Sequence, residues 1–476
     1  MKIRLIALSS SLTLALAGCV LPPKVPPQAT LLNNTALGLN GQAAASTANG
    51  WWRTFGDPQL DRLIGEAMAT NPRLAEVMAR VRVAQAQTQS ATAAANPGLS
   101  FDGQETYERF PEKDIFPPPL GGGHYWRGGL TVNLAWDLDF FGRQAAVIEQ
   151  NRAYTRAAVL DVENARLALA GALAQAYLDL YRSYALADIA AQTEAQQQDI
   201  LKLAHERLSA GLDTQSDLRL AEAGVSQARL SRMQSEVGIA LAVHRLAAIS
   251  GNGANTYARI KRPRLNLGAT LKLPDHLPVD LLARRPDVLA ARARVDAASH
   301  GEAAAKAAFY PDINLSAFAG LGAIGLNNLF QSGARTYGAG PAIHLPLFES
   351  GQLKAGYRAA HADVDAAIAA YNDTVLQAVQ QTADQLSLIA SSRQQIGQNL
   401  QTLAASEDAL RIAQARYREG LTGRLAVLAA QTRVLAAQRT QVELVEAQAV
   451  ARVTLLLALG GSFDPNNHHA LTGASS

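Results

Sequence analysis

Gly129-Leu-Thr-Val-Asn-Leu-Ala-Trp-Asp-Leu-Asp-Phe-Phe-Gly-Arg143 is the stretch on which the fold turns. Leu130, Val132, Leu134, Trp136, Leu138 and Phe140 fall on one face. Gly129, Thr131, Asn133, Ala135, Asp137 and Asp139 fall on the other. An alternation this long is the period-two signature of a strand with one apolar and one polar face. From Gly142 to Gly211 the chain then carries no Pro and, between those two, only one Gly, Gly171. A helix of about 65 residues fits the interval, roughly 100 Å at 1.5 Å rise per residue. Gly142 is therefore expected to turn a strand into an unusually long helix.

The pattern is written twice. Tyr337, Ala339, Pro341, Ile343, Leu345 and Leu347 form a second apolar face, and Gly351 to Gly420 is again free of Pro. Partner strands are expected at about 99–109, the weaker of the two, and at 312–322, where Ile313, Leu315, Ala317, Ala319 and Leu321 alternate. Pro72 and Pro97 bracket a helix of roughly 73–95, and Pro286 and Pro311 recur 214 positions later. Gly142, Gly211 and Gly251 recur 209 positions later as Gly351, Gly420 and Gly460. A period near 200 residues is too long for a solenoid unit, so this is a duplicated element of domain size. Each copy reads helix, strand, strand, long helix, turn, long helix. The copies occupy 51–251 and 276–460, with 252–275 between them and a flexible tail at 461–476. Leu173, Tyr177, Leu180, Tyr184, Ala187 and Ala191 have heptad-like spacing, and Leu428, Leu435, Val442, Ala449 and Leu456 recur every seventh residue. That predicts coiled-coil-type packing, with an ordinary bundle as the alternative.

The chain has 476 residues, 48% hydrophobic but only 6% aromatic. Long, alanine-rich, closely packed helices suit that composition better than a wide globular core. No apolar run of 18 residues follows the first 20, so no transmembrane helix is expected. Residues 1–18 read as a signal peptide, with Lys2 and Arg4 ahead of apolar Ile6–Ala17. Leu16-Ala17-Gly18-Cys19 resembles a lipoprotein cleavage box, so Cys19 is expected to carry diacylglycerol and an N-acyl chain; an ordinary signal with a chance Cys is the alternative. Cys19 is the only cysteine, which excludes an internal disulfide. Residues 19–50 are expected to be a lipid-anchored linker, and Trp51, Trp52 and Phe55 the aromatic start of the ordered body. Without Lys2 and Arg4 the chain is close to neutral, which argues against nucleic acid as a partner.

Two convincing strands per copy give four per chain. Four strands with a lipid-compatible face cannot close a barrel, and an open edge in lipid is not viable. The smallest transmembrane barrels need about eight strands. Copies of the chain are thus expected to assemble into one closed sheet, continued by a tube of helical hairpins that turn at Gly211 and Gly420 and run back.

These features resemble the TolC family of outer-membrane efflux proteins, in its lipoprotein branch. The resemblance covers about residues 51–460. It rests on the cleavage box, the duplicated element order and Lys306-Ala-Ala-Phe-Tyr-Pro311 before a strand. It rests also on Arg207-Leu-Ser-Ala-Gly-Leu212 and Arg416-Tyr-Arg-Glu-Gly-Leu-Thr422 at the two turns. It implies an α+β membrane protein, a homotrimer whose twelve-stranded β-barrel, four strands per chain, continues into a periplasmic α-helical barrel. It implies a passive efflux duct for drugs or toxic small molecules, with a periplasmic adaptor and an inner-membrane pump as partners. Gly211, Leu212, Gly420, Leu421 and Thr422 would meet the adaptor. Val20 after Cys19, rather than Asp, favours the outer membrane. Relatives close the periplasmic entrance with acidic residues after the second tip, where this chain has Ala426 and Ala429. The gate is therefore expected to use Asp213, Asp217 and Arg424, or an apolar constriction by Leu425 and Leu428. A duct for a secreted protein and a pore-free coiled-coil scaffold are the other readings. Pump class and substrates are not written in the chain.

Chemistry-like motifs reduce to structure. Gly320-Leu-Gly322-Ala-Ile-Gly325 spells GxGxxG, but no helix opens after it. His468 and His469 lie in the polar tail, and Pro117-Pro118-Pro119 in a loop between strands. No hydrolase, metalloprotease or phosphate-loop motif occurs, and no catalytic role, cofactor or metal is expected.

Overall fold

The structure is a computed structural model and describes residues 22–34, 36–39, 50–113, 118–268, 278, 280–346 and 349–463. The signal peptide, Cys19, Pro117, Leu347, His468 and His469 lie outside the described residues. In chain order the elements are α1 (Pro58–Thr70), α2 (Pro72–Ala94), β1 (Gly98–Arg109), β2 (His124–Asp137), α3 (Arg143–Ser209) and α4 (Gln215–Ile249). Then follow α5 (Pro286–Ala307), β3 (Asp312–Ile324), β4 (Arg335–His344), α6 (Ser350–Arg418) and α7 (Arg424–Ala458). The expected order helix, strand, strand, long helix, turn, long helix is present twice, from α2 to α4 and from α5 to α7, with α1 ahead of the first copy.

The chain divides into two compact units, and α2, α3, α5 and α6 each contribute to both. One unit gathers residues 22–31, Arg80–Ala158 and Ala291–Tyr371 and holds the sheet. Its order is β1-β2-β3-β4, antiparallel throughout. Register fixes the faces. Phe101 pairs with Val132, Val132 with Ala319, and Ala319 with Tyr337. Leu99, Leu134, Ala317 and Ala339 form the next row. Because side chains alternate with period two, these rows make one apolar face across all four strands. Gly320 lies in β3, where an added Cβ would stand 2.2 Å from the Leu130 carbonyl oxygen. Gly325 ends the strand with φ 82°. The GxGxxG thus shapes a strand and its end.

The corner from β2 into α3 uses two left-handed residues, Asp139 at φ 44° and Gly142 at φ 74°. The Asp139 carboxylate accepts the N–H groups of Gln144 and Ala145, capping α3. Gly351 does not repeat this role. It lies in the first turn of α6, which opens at Ser350, and has no left-handed backbone.

The second unit holds residues 32–79, 159–290 and 372–463. Trp51, Phe55, Leu60, Ile64, Leu173, Tyr177, Leu180, Leu246, Val453 and Leu456 form its core. Each large apolar side chain contributes about 1.5–3 kcal/mol by burial. The expected stripes are packed: Leu428, Leu435, Ala449 and Leu456 are buried, whereas Ala191 is exposed. Gly171, alone among the residues of α3 in lacking a side chain, lets Leu457 sit where its Cβ would be, 2.2 Å away. The segment after α4 is stitched to the start of α1. Lys261 N–H donates to Gln59, Arg264 N–H to Asp57, and Asn266 N–H to the Phe55 carbonyl.

The two returning helices, α4 and α7, have 35 residues each against 67 and 69 in α3 and α6. They do not retrace the full 100 Å. Each stops at a paired device. Asn71 Nδ2 donates to the Ile249 carbonyl at the end of α4, and Arg285 Nη1 to the Ala458 carbonyl at the end of α7. An added Cβ at Gly251 would meet the Thr70 backbone at 2.9 Å, and one at Gly460 the Arg284 carbonyl oxygen at 2.1 Å. The contact survives duplication while the residue making it changes from Asn to Arg.

Candidate functional site

The two helical turns share one backbone design. At the first, Leu212 N–H donates to Arg207 O and Gly211 N–H to Leu208 O. At the second, Leu421 N–H donates to Arg416 O and Gly420 N–H to Tyr417 O. These are paired 6→1 and 5→2 bonds around a left-handed glycine, φ 71° in both cases. The leucine after each glycine is two-thirds exposed: Leu212 66%, Leu421 67%. An apolar side chain held out by a rigid turn is suited to contact with a partner.

Their side chains diverge. Arg207 makes a bidentate pair with Asp213, both distances 2.8 Å. That pair holds the guanidinium above its already high range. Thr214 caps α4 in a full capping box with Asp217. The Thr214 hydroxyl and N–H hold the Asp217 carboxyl below the usual range. At the second turn, Thr422, Gly423 and Ala426 replace Asp213, Thr214 and Asp217. Gly423 offers α7 no side-chain cap.

The expected gate residues are therefore not gathered into one cluster. Asp213 and Asp217 are engaged inside their own turn. Arg424, opening α7, pairs with Asp199 on α3 at 3.4 Å, joining the two hairpins. Leu425 is half-exposed, and Ala426 and Ala429 on the same turns are exposed. Leu428 is 3% exposed and its carbonyl accepts from Gln196. As the head of the heptad stripe it packs within the chain, which removes it from any constriction. Asp199 carries no signal in the sequence, because its partner Arg424 is brought to it by the fold from 225 positions away.

The sheet offers a second candidate surface. Its polar face carries Asp102, Asn133 and Thr131, and Asn133 Nδ2 donates to Asp102 at 2.6 Å. Phe318 interrupts this face. Its ring covers Gly338, where a Cβ would meet it at 2.7 Å. The rings of Tyr107 and Trp126 meet near one end of the apolar face, tilted by 46° with centroids 5.2 Å apart. Trp136 marks the other end, its indole N–H donating to the Ala95 carbonyl. Among the described residues, no helix is long and apolar enough to cross a membrane.

Comparison with known proteins places this geometry. A family model described as "Outer membrane efflux protein" matches residues 63–252 and 277–461, the two copies of the repeat. The chain is 36% identical over 365 residues to the fusaric acid resistance protein FusA of Burkholderia cepacia, covering 74% of this chain and 68% of that one. It is 28% identical over 470 residues to the multidrug resistance outer membrane protein MdtP of Shigella flexneri, covering 95% of each. Among solved structures, the outer membrane protein VceC of Vibrio cholerae superposes with a TM-score of 0.81 at 33% identity, over 88% of this chain and 100% of that one.

Proposed function

This chain belongs to the outer membrane efflux protein family and is an outer-membrane efflux channel component, and we propose that three copies close into one exit duct. The observation that carries this is the four-stranded sheet. It has one apolar face, one polar face and free edges at β1 and β4. Open edges are not tolerated in lipid; three copies joined β4 to β1 give twelve strands with none. Trp126 and Trp136 support the placement. Ten strand residues span about 33 Å, and a tilt of about 40° reduces this to about 25 Å, the height of an outer-membrane apolar band.

In this reading the polar face lines the lumen and the helices continue it as a periplasmic tube. Movement is passive here, and an inner-membrane pump acts through an adaptor that docks on Leu212 and Leu421. The similar proteins are named for resistance to fusaric acid and to multiple drugs, which supports toxic small molecules as the cargo class. Acylation of Cys19 anchors the chain to the outer membrane; a Cys19→Ser chain that still carried the lipid mass would overturn that part. For the entrance, the Arg424–Asp199 pair and Leu425 are the gate elements that the geometry favours.

The duct is tested by gel mobility and planar-bilayer conductance of the purified full chain. The expected result is a heat-sensitive trimer with single-channel steps. A monomer with no conductance would overturn the reading.

A further inference from the structure

The segment ahead of the core is held by side chains of α6. Asp365 Oδ1 accepts the N–H groups of Gln28 and Ala29, at 3.1 and 3.0 Å. One turn earlier, His361 Nε2 lies 3.3 Å from the Pro26 carbonyl oxygen. Its Nδ1 lies 2.9 Å from Glu302 Oε1 on α5. His361 is 9% exposed.

The chemistry of this contact is restrictive. A backbone carbonyl only accepts, and so does an ionised carboxylate. A neutral imidazole has one N–H and satisfies one of the two. Making both bonds requires the imidazolium. The surroundings favour that form. Glu302 faces the ring directly and Asp365 adds negative charge from the same helix. Tyr357, whose ring stacks on His361, hydrogen-bonds Glu302. The Glu302 bond and the Pro26 carbonyl hold the imidazole above its ordinary range, against the opposing effect of burial.

We propose that His361 is a proton-dependent clasp that fastens residues 26–29, the segment following the anchor position, to α6. A histidine whose folded pKa is raised contributes its full effect below the unfolded value, about 6.5. That contribution is lost as pH rises through the raised value. The deprotonated ring keeps one N–H, which stays with the charged Glu302, and the Pro26 bond is given up. The segment is thus fastened in acid and slackened in alkali.

Hydrogen exchange of residues 28–32 in the detergent-solubilised full chain tests this, corrected for intrinsic rates, from about pH 5.5 to about pH 9. Protection of the Gln28 and Ala29 amides should fall about fivefold across the step, the weight of one hydrogen bond. His361→Gln, which keeps one donor but does not titrate, should abolish the step. Glu302→Gln should move it to lower pH. Circular dichroism and trimer mobility confirm that each variant is folded. Wild-type protection that does not change across this range would overturn the clasp, as would a step that survives in His361→Gln. Bilayer conductance should be the same in both variants, so failure of the clasp and failure of the duct are separate results.

Discussion

Gly211 and Gly460 both hold left-handed backbone, at φ 71° and 87°, but their surroundings differ. No atom lies within 4 Å of the Cβ that Ala would add at Gly211, whereas at Gly460 it would stand 2.1 Å from the Arg284 carbonyl oxygen. Gly211→Ala therefore meets only the conformational term, about 1 kcal/mol. Gly460→Ala adds overpacking against backbone that cannot rotate away, for a total of about 3 kcal/mol. Thermal melts followed by circular dichroism should show a small downward shift for the first and a several-fold larger one for the second. Equal shifts would mean that the Gly460–Arg284 approach relaxes at no cost. The recurrence of these glycines was legible, because φ > 0 restricts the residue type at each copy. The partners were not. Arg284 and Thr70 lie 176 and 181 positions from their glycines, and no local pattern encodes such a contact.

The elements were the most legible level. Period-two alternation and Pro or Gly punctuation placed β2, β3 and the long helices within a few residues of where they lie. β1 was weaker because Gly103 and Glu105 interrupt its apolar face. The returning helices end halfway, where Asn71 and Arg285 bind their terminal carbonyls. One reading failed for a physical reason: Gly351 lost its corner role because the helix starts before it. Helix ends also carry the clearest difference between the copies, since α4 has a capping box and α7 has none. Thr214→Ala should cost about 1 kcal/mol of local helix stability. Gly423→Thr with Ala426→Asp should install the missing box and protect the first turn of α7. Amide exchange at Leu218 and Leu428 would report both effects; unchanged exchange at Leu428 in the double variant would show that α7 is already fixed by its packing.

At the scale of the whole molecule, duplication turns one chain into two staves and three chains into six, so a weak contact acts three times at the entrance. The Arg424–Asp199 pair is surface-exposed, 37% and 52%. Such a pair contributes at most about 1 kcal/mol. Three copies acting together reach about 3 kcal/mol, enough to hold an open state near one part in a hundred. Salt should weaken it, because exposed pairs are screened within about 10 Å at 0.1 M. Asp217 has no such leverage while its carboxylate is committed to Thr214. Single-channel recording then gives an ordered expectation. Arg424→Ala and Asp199→Ala should each raise the closed-state conductance to a similar extent. The double variant should go little further, because each single change already breaks the same pair. High salt should bring wild type toward the variants. Asp217→Ala should stay as tightly closed as wild type. The opposite pattern, with Asp217→Ala leaking and Arg424→Ala closed, would move the gate to the first turn and leave the Arg424–Asp199 pair as a strut between hairpins.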